Sequence, residues 1–314
     1  MGGSGGSGGY FGGRINPEKL REEVERAVDE TERQKRDIAV SALMTDLLSA
    51  FNSRDYEKTA KYLGEIETAL GEEVDGMETL LFGGSVAKHT YVDGLSDIDS
   101  LVVIDREEIE SSTPAELLDD FAAAVRKNIA SQTGAVVSIG RLAVSVEYRD
   151  GTIIQLLPAA RHRSGFVISD EKGTGWRQIK PREFSRAIVD ANQRLDRALV
   201  PTIKLAKSAL SNVPEDIRPS GYHVEALALK VLGDYKGDKT PRAMLPQFFR
   251  GAAEAVMRPT SDVTGQSKHI DSDLGAAGSD VRRRLSAALE RIARKLENAR
   301  SAAQWRDVLE PQES

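Results

Sequence analysis

The sequence predicts an α+β protein, a core of strands and helices followed by a lobe built of helices. Three observations predict it. Helical spacing of apolar residues runs from about residue 17 to 70, strand-type runs cluster between residues 79 and 157, and helical spacing returns after Pro181. The chain has 314 residues, enough for one large domain or two closely packed ones.

Each element has its own signature. Eight of the first 13 residues are Gly, a composition expected of a flexible tail. Asn16 suits an N-cap and Pro17 a first helical residue, with Ile15 and Leu20 placed as a hydrophobic staple. Leu20, Val24, Ala27 and Val28 share one face, and Val40, Leu43, Met44, Leu47, Leu48 and Phe51 continue an apolar stripe. The spacing predicts one long helix over about 17–51 and a second over about 54–70. Thr79 to Phe82 reads as a buried strand running into Gly83-Gly84-Ser85, and Asp97 to Ile104 as a central strand. Thr113 with Glu116 forms a capping box opening a helix of roughly 114–130. Strands follow at about 141–148 and 152–157, joined by Asp150-Gly151, a strong hairpin signal. Helices are expected near 183–211, 220–233, 241–257, 279–299 and 302–309. The expected division is a tail (1–13), a core with the N-terminal helices (14–182) and a helical lobe (183–314).

Composition removes several function classes. There is no cysteine, so there are no disulfides, thiol nucleophiles or thiolate zinc sites. No run approaches the roughly 18 apolar residues of a membrane-spanning helix. With no membrane partner and no export feature, the expected compartment is the cytoplasm. Lys and Arg number 43 against 49 Asp and Glu, a formal charge of −6, which argues against coating duplex DNA while leaving room for a local basic groove. The basic run of Arg282, Arg283, Arg284, Arg291, Arg294, Lys295 and Arg300 reads as a solvated helix face with local ion pairs. Its alternative is a cleft wall or an RNA-facing patch.

The chemistry concentrates in Gly83-Gly84-Ser85, eleven intervening residues, and Asp97-Ile98-Asp99. Residues i and i+2 of a strand point to the same side, so Asp97 and Asp99 project two carboxylates together. Mg²⁺ takes a few oxygen ligands from protein and completes its octahedron with phosphate and water. Two adjacent carboxylates can bridge two such ions and clamp an in-line phosphoryl displacement. The Gly-Gly-Ser turn offers backbone N–H groups and a hydroxyl at a helix N-terminus, a phosphate cradle.

Gly84-Ser85 followed by Asp97-x-Asp99 resembles the signature of the DNA polymerase β-like nucleotidyltransferases. The longer stretch from Gly83-Gly84-Ser85-Val86-Ala87-Lys88-His89-Thr90 to Leu95-Ser96-Asp97-Ile98-Asp99 resembles the bacterial cGAS/DncV-like nucleotidyltransferases, the CD-NTases of CBASS oligonucleotide-cyclase type. Tyr148-Arg149-Asp150-Gly151 to Leu156-Leu157-Pro158-Ala159 is similar to that family's hairpin. Gly175-Trp176, Pro181, Ile203-Lys204-Leu205-Ala206-Lys207 and Ser220-Gly221-Tyr222-His223-Val224-Glu225 look like its later motifs.

The resemblance implies a polymerase β-like core with a helical lobe and a long N-terminal spine helix. It implies a template-independent enzyme, dependent on Mg²⁺ or Mn²⁺, that makes a cyclic or short linear oligonucleotide second messenger from NTPs. The implied context is antiphage defence, with a separate effector protein reached through the product. By position, Asp97 and Asp99 would hold the metals and Gly84 and Ser85 the triphosphate. Lys207 would reach the phosphates, and Tyr222 would stack on a base. Gly221 stands where relatives often carry Ser, and Ser220 could supply that hydroxyl. The missing cysteines also imply that no zinc-bearing insertion for duplex DNA is present.

Gln155 departs from the pattern, because the family's third acid is expected there. An amide oxygen can bind Mg²⁺, but it is uncharged and cannot act as a base. Three readings stay open: Gln155 acts as a weak ligand while water or phosphate takes the proton; a neighbouring acid substitutes, Glu147 before Asp150; or the site binds nucleotide without turnover, as a sensor or regulatory protein. Nucleotide transfer to RNA or to a protein hydroxyl is the remaining enzymatic alternative.

Overall fold

A computed structural model describes residues 17–52, 56–82, 90, 92, 98–163, 165–170, 175–261 and 270–311. Helix α1 spans Pro17–Ala50 and α2 spans Tyr56–Glu73, close to the predicted bounds. Strand β1 (Met77–Phe82) and strand β2 (Ile98–Ile104) follow. Helix α3 (Arg106–Ser111) is capped by Asp105, whose carboxylate accepts from the Glu108 N–H. Helix α4 (Pro114–Val125) opens on the predicted Thr113/Glu116 capping box. It passes into a π-turn at Arg126–Ala130 and ends at Gly134, whose φ of 69° provides the left-handed cap.

The sheet has seven strands: β1, β2, β3 (Val136–Ile139), β4 (Val144–Glu147), β5 (Ile153–His162), β6 (Gly165–Ser169) and β7 (Trp176–Ile179). Its main path runs β1-β2-β5-β4-β3, and β6 and β7 extend it from the second half of β5. Among the described strands only β2 with β5 is parallel. The predicted hairpin forms at Asp150-Gly151, where Gly151 has φ 82° and Tyr148 N–H bonds Thr152 O at 2.9 Å. Strand β5 runs further than the predicted 152–157. Pro158 falls after the last β4 pairing, at Leu156, and before the first β6 pairing, at Ala159, the place where a missing N–H costs least.

The two sheet faces differ. Ile98, Val102, Ile104, Ile154 and Leu156 pack against α2 and α4 through Leu63, Ile66, Leu70, Leu117 and Phe121. The other face carries Asp99, Leu101 and Val103, and its apolar part is a small cluster with Ala159, Phe166 and Ile168.

The C-terminal helices are α5 (Pro181–Arg194), α6 (Leu199–Ser211), α7 (Gly221–Leu232), α8 (Pro241–Ala255), α9 (Asp280–Asn298) and α10 (Ala302–Leu309). The predicted single helix over 183–211 is two. Asp196 and Arg197 adopt φ of 51° and 65°, Asn192 Oδ1 accepts the Val200 N–H, and Pro201 sits in the first turn of α6 where its missing N–H has no helical partner. These helices share one core with the C-terminal half of α1, through Val40, Leu43, Met44, Leu47 and Phe51. The buried side chains of α2 belong instead to the sheet core.

Phe121 is fully buried between α4 and the sheet. Phe121→Ala should lower unfolding free energy by about 3–5 kcal/mol, read as a fall in urea midpoint; a change under about 1 kcal/mol would show that this layer does not carry the core.

Candidate functional site

Strand register brings the first polar row together. Asp99 pairs with Gln155 in the parallel β2–β5 ladder, Gln155 with Ser145 across β5–β4, and Ser145 with Ser138 across β4–β3. Side chains alternate, so all four lie on the face away from α2 and α4. Asp99, Gln155 and Ser145 are half-buried and Ser138 is exposed. The next residues inward on that face are Leu101 and Leu157, so the polar row is confined to one end of the strands. Glu147 pairs with Ile153 and is exposed. It shares the face of Gln155 as a diagonal neighbour, about 7–8 Å away.

Strand β1 ends at Phe82 opposite Ser100, so the chain leaves β1 and enters β2 beside Asp99. Gly84, Ser85 and Asp97 lie outside the described residues, as do the Gly-rich tail, His89 and the stretch 262–267. Among the described residues no group of three or more His, Cys, Asp or Glu forms a metal-binding cluster. The oxygens that Asp99 and Gln155 present side by side are hard donors suited to Mg²⁺ or Mn²⁺.

The second set belongs to the helices. Lys207 on α6 is buried, and its Nζ pairs with Glu225 Oε1 at 2.9 Å and donates to Thr90 O at 3.0 Å. Thr90 Oγ1 donates to the same Glu225 oxygen. Val92 is buried in the helical core. The chain that follows the Gly-Gly-Ser motif is thereby fixed to the helical lobe by a buried ion pair. A Cβ on Gly221 would stand 3.4 Å from Lys207 Nζ, so glycine at that position leaves the ammonium its room. Ser220 is exposed and caps α7, accepting from the His223 N–H at 3.2 Å. Tyr222 is half-buried against Phe184 of α5, ring centroids 4.6 Å apart. One turn before Lys207, Lys204 donates to Asn52 Oδ1, and burial with the neighbouring Lys207 charge lowers its pKa.

Glu225 and Thr90 escaped a role at the level of sequence. The signal was available in Glu225, a lone carboxylate in the apolar run Val224 to Leu229. A further buried network sits behind α7. Arg282 of the basic run is fully buried; it pairs with Asp271 Oδ2 at 2.8 Å and donates to the carbonyls of Val256, Arg258, Asp271 and Gly275. Arg283 and Arg294 follow the local-ion-pair reading, with Asp280 and Glu290, whereas Arg284 pairs across to Asp216 in the turn before α7. Asp271 also accepts the Thr260 N–H, and His223 Nε2 lies 3.7 Å from Asp271 Oδ2, beyond hydrogen-bond reach.

Most of the chain superposes on solved bacterial proteins. It matches the CD-NTase CdnG of Bradyrhizobium diazoefficiens in complex with GTP at a TM-score of 0.61 and 15% identity, covering 86% of this chain and 95% of that one. The fold is that of the CD-NTases. The Vibrio cholerae cyclic AMP-GMP synthase DncV, a prokaryotic cGAS homolog, matches at 0.60 and 13% identity over 94% and 91% of the two chains. CdnC of E. coli MS115-1 with ATP matches at 0.59 and 15% identity over 86% and 96%. No family model matches the sequence, and no curated protein does. The α+β fold with a long N-terminal helix is as predicted, and no described helix is long and apolar enough to cross a membrane.

Burial pushes the His223 pKa down to about 4, with the Asp271 carboxylate opposing. The unfolded imidazole takes a proton near its ordinary 6.5 while the folded one does not, so stability falls as pH drops from 6.5 towards 4 and is unaffected above. The loss should reach about 3 kcal/mol. Comparing urea midpoints of the wild type and His223→Gln over pH 4–7 isolates it: the wild type should lose stability relative to the variant on acidification, and a constant difference would contradict the burial argument.

Proposed function

We propose that the chain is a template-independent nucleotidyltransferase that joins NTPs into a cyclic or short linear oligonucleotide. The observation that carries this reading is the Asp99–Gln155 pair at the polar end of β2 and β5, beside the end of β1 at Phe82, on a fold shared with a cyclic AMP-GMP synthase. In the reaction, the 3′-hydroxyl of one nucleotide attacks the α-phosphate of another, the bond to the β-phosphate breaks, and pyrophosphate leaves. Asp99, with Asp97, would hold Mg²⁺ or Mn²⁺, with the Gln155 amide oxygen as a neutral third ligand. Bound metal would supply positive charge for the phosphates and for the attacking oxygen.

The chain's own residues divide the remaining work. Gly84 and Ser85 would cradle the triphosphate. Tyr222, half-buried against Phe184, would stack on a base. Ser220 spends an acceptor lone pair on its cap, so its O–H remains to donate to phosphate. Glu225 offsets the charge of Lys207 and, with Thr90, takes two of its three N–H donors, so its contact with phosphate would be through the third. Gln155 cannot accept the proton of the attacking hydroxyl. Glu147, exposed on the same face and diagonal to Gln155, would accept it. The product would act as a second messenger on a separate effector in antiphage defence, the context that the sequence resemblance supplies.

Gln155 also motivates a second reading, a nucleotide sensor without turnover. The purified protein incubated with labelled NTPs and Mg²⁺ or Mn²⁺ separates the two. A phosphatase-resistant product absent in Asp99→Ala supports the synthase. Label on added RNA or on protein supports transfer to those acceptors. Bound nucleotide without turnover supports the sensor.

Two substitutions test the roles. Gln155→Asp restores a charged ligand and a base, and should raise kcat at least about tenfold. Glu147→Gln should lower kcat by about 10²-fold or more. Unchanged turnover in Glu147→Gln would assign the proton to water or substrate phosphate.

A further inference from the structure

We infer that the N-terminal half of α1 is a dimerisation arm that pairs, parallel and in register, with the same helix of a second copy of this chain. The helix has 34 residues, but its burial begins only at residue 40. From residue 18 to 35 every residue whose side chain is described is exposed. A lone helix of that length is marginal in water without a packed face. Yet this half carries apolar residues in the open: Val24 at 54%, Val28 at 55% and Ile38 at 71% exposure.

Their spacing is that of a coiled-coil seam. Val24, Thr31 and Ile38 repeat every seven residues, with Ala27 and Gln34 three further on. At 100° per residue this seam lies opposite the face that Val40, Met44 and Leu47 bury in the helical core, so anchoring the helix leaves the seam uncovered. The charges beside the seam identify the partner. Glu23 and Glu30 flank it on one side, Arg21 and Lys35 on the other. Two parallel copies set Glu30 of one against Lys35 of the other, whereas antiparallel copies would oppose like charges. The polar layers at Thr31 and Gln34 weaken the pairing and specify its register, so the dimer is reversible.

The absence of cysteine makes the test clean. Sedimentation equilibrium on the full chain should give a concentration-dependent mass rising to twice the monomer. Val24→Cys and Ile38→Cys, each alone, should form same-residue disulfide dimers on mild oxidation, while Asp29→Cys on the outer face should not. The double variant Val24→Glu with Ile38→Glu should sediment as a monomer, with a urea midpoint equal to that of the wild type at concentrations where it is monomeric, because both sites are exposed in one copy. A monomer at every concentration overturns the inference. So does a dimer that neither cysteine captures, or one that survives the double variant.

Discussion

Parallel pairing of β2 with β5 decides which side chains meet at the polar end of the sheet. Its register sets Asp99 beside Gln155, and β4 then adds Ser145 to the same row. Slipping β2 by one residue would turn Asp99 into the core packed by Phe121 and expose Ile98 and Val102, and slipping β5 would do the same to Gln155 and Ile154. The apolar face therefore fixes the chemistry indirectly: Ile98, Val102, Ile104, Ile154 and Leu156 must point at α2 and α4, and the polar residues are left on the opposite side. Burial supplies the precision with which the oxygens are held.

The second constraint joins the sheet to the helices. Thr90, Lys207 and Glu225 form a buried cluster in which each charged group has a partner, and Val92 packs into the helical core beside it. A buried pair of this kind adds little net stability, but removing one member strands a charge and costs about 3–5 kcal/mol. It is better read as specifying geometry: it ties the chain between β1 and β2 to α6 and α7, which carry Ser220 and Tyr222. Asp271 and Arg282 do the same behind α7, where His223 stays neutral.

Much of this was legible in the residues themselves. The long helix, the Thr113/Glu116 capping box and the Asp150-Gly151 hairpin each rest on local chemistry, and each formed. Three features were not local. Strands β6 and β7 are short, and each exists only because the neighbouring strand is there to pair with. The break at Asp196-Arg197 needs two non-glycine residues at positive φ, which no propensity signals. The commitment of Lys207 to Glu225 joins residues on two helices, so a basic residue placed correctly in a motif was read towards ligand without its buried partner in view.

The proposed activity requires Asp99 and Gln155 to act together at one metal-nucleotide site. A crystal structure of the protein with a non-hydrolysable NTP analogue and Mg²⁺ tests this most directly. It should show a metal at roughly 2.1 Å from an Asp99 carboxylate oxygen and from the Gln155 amide oxygen, with a base against Tyr222. Nucleotide bound elsewhere, or bound with Asp99 and Gln155 both outside the metal's ligand set, would contradict it.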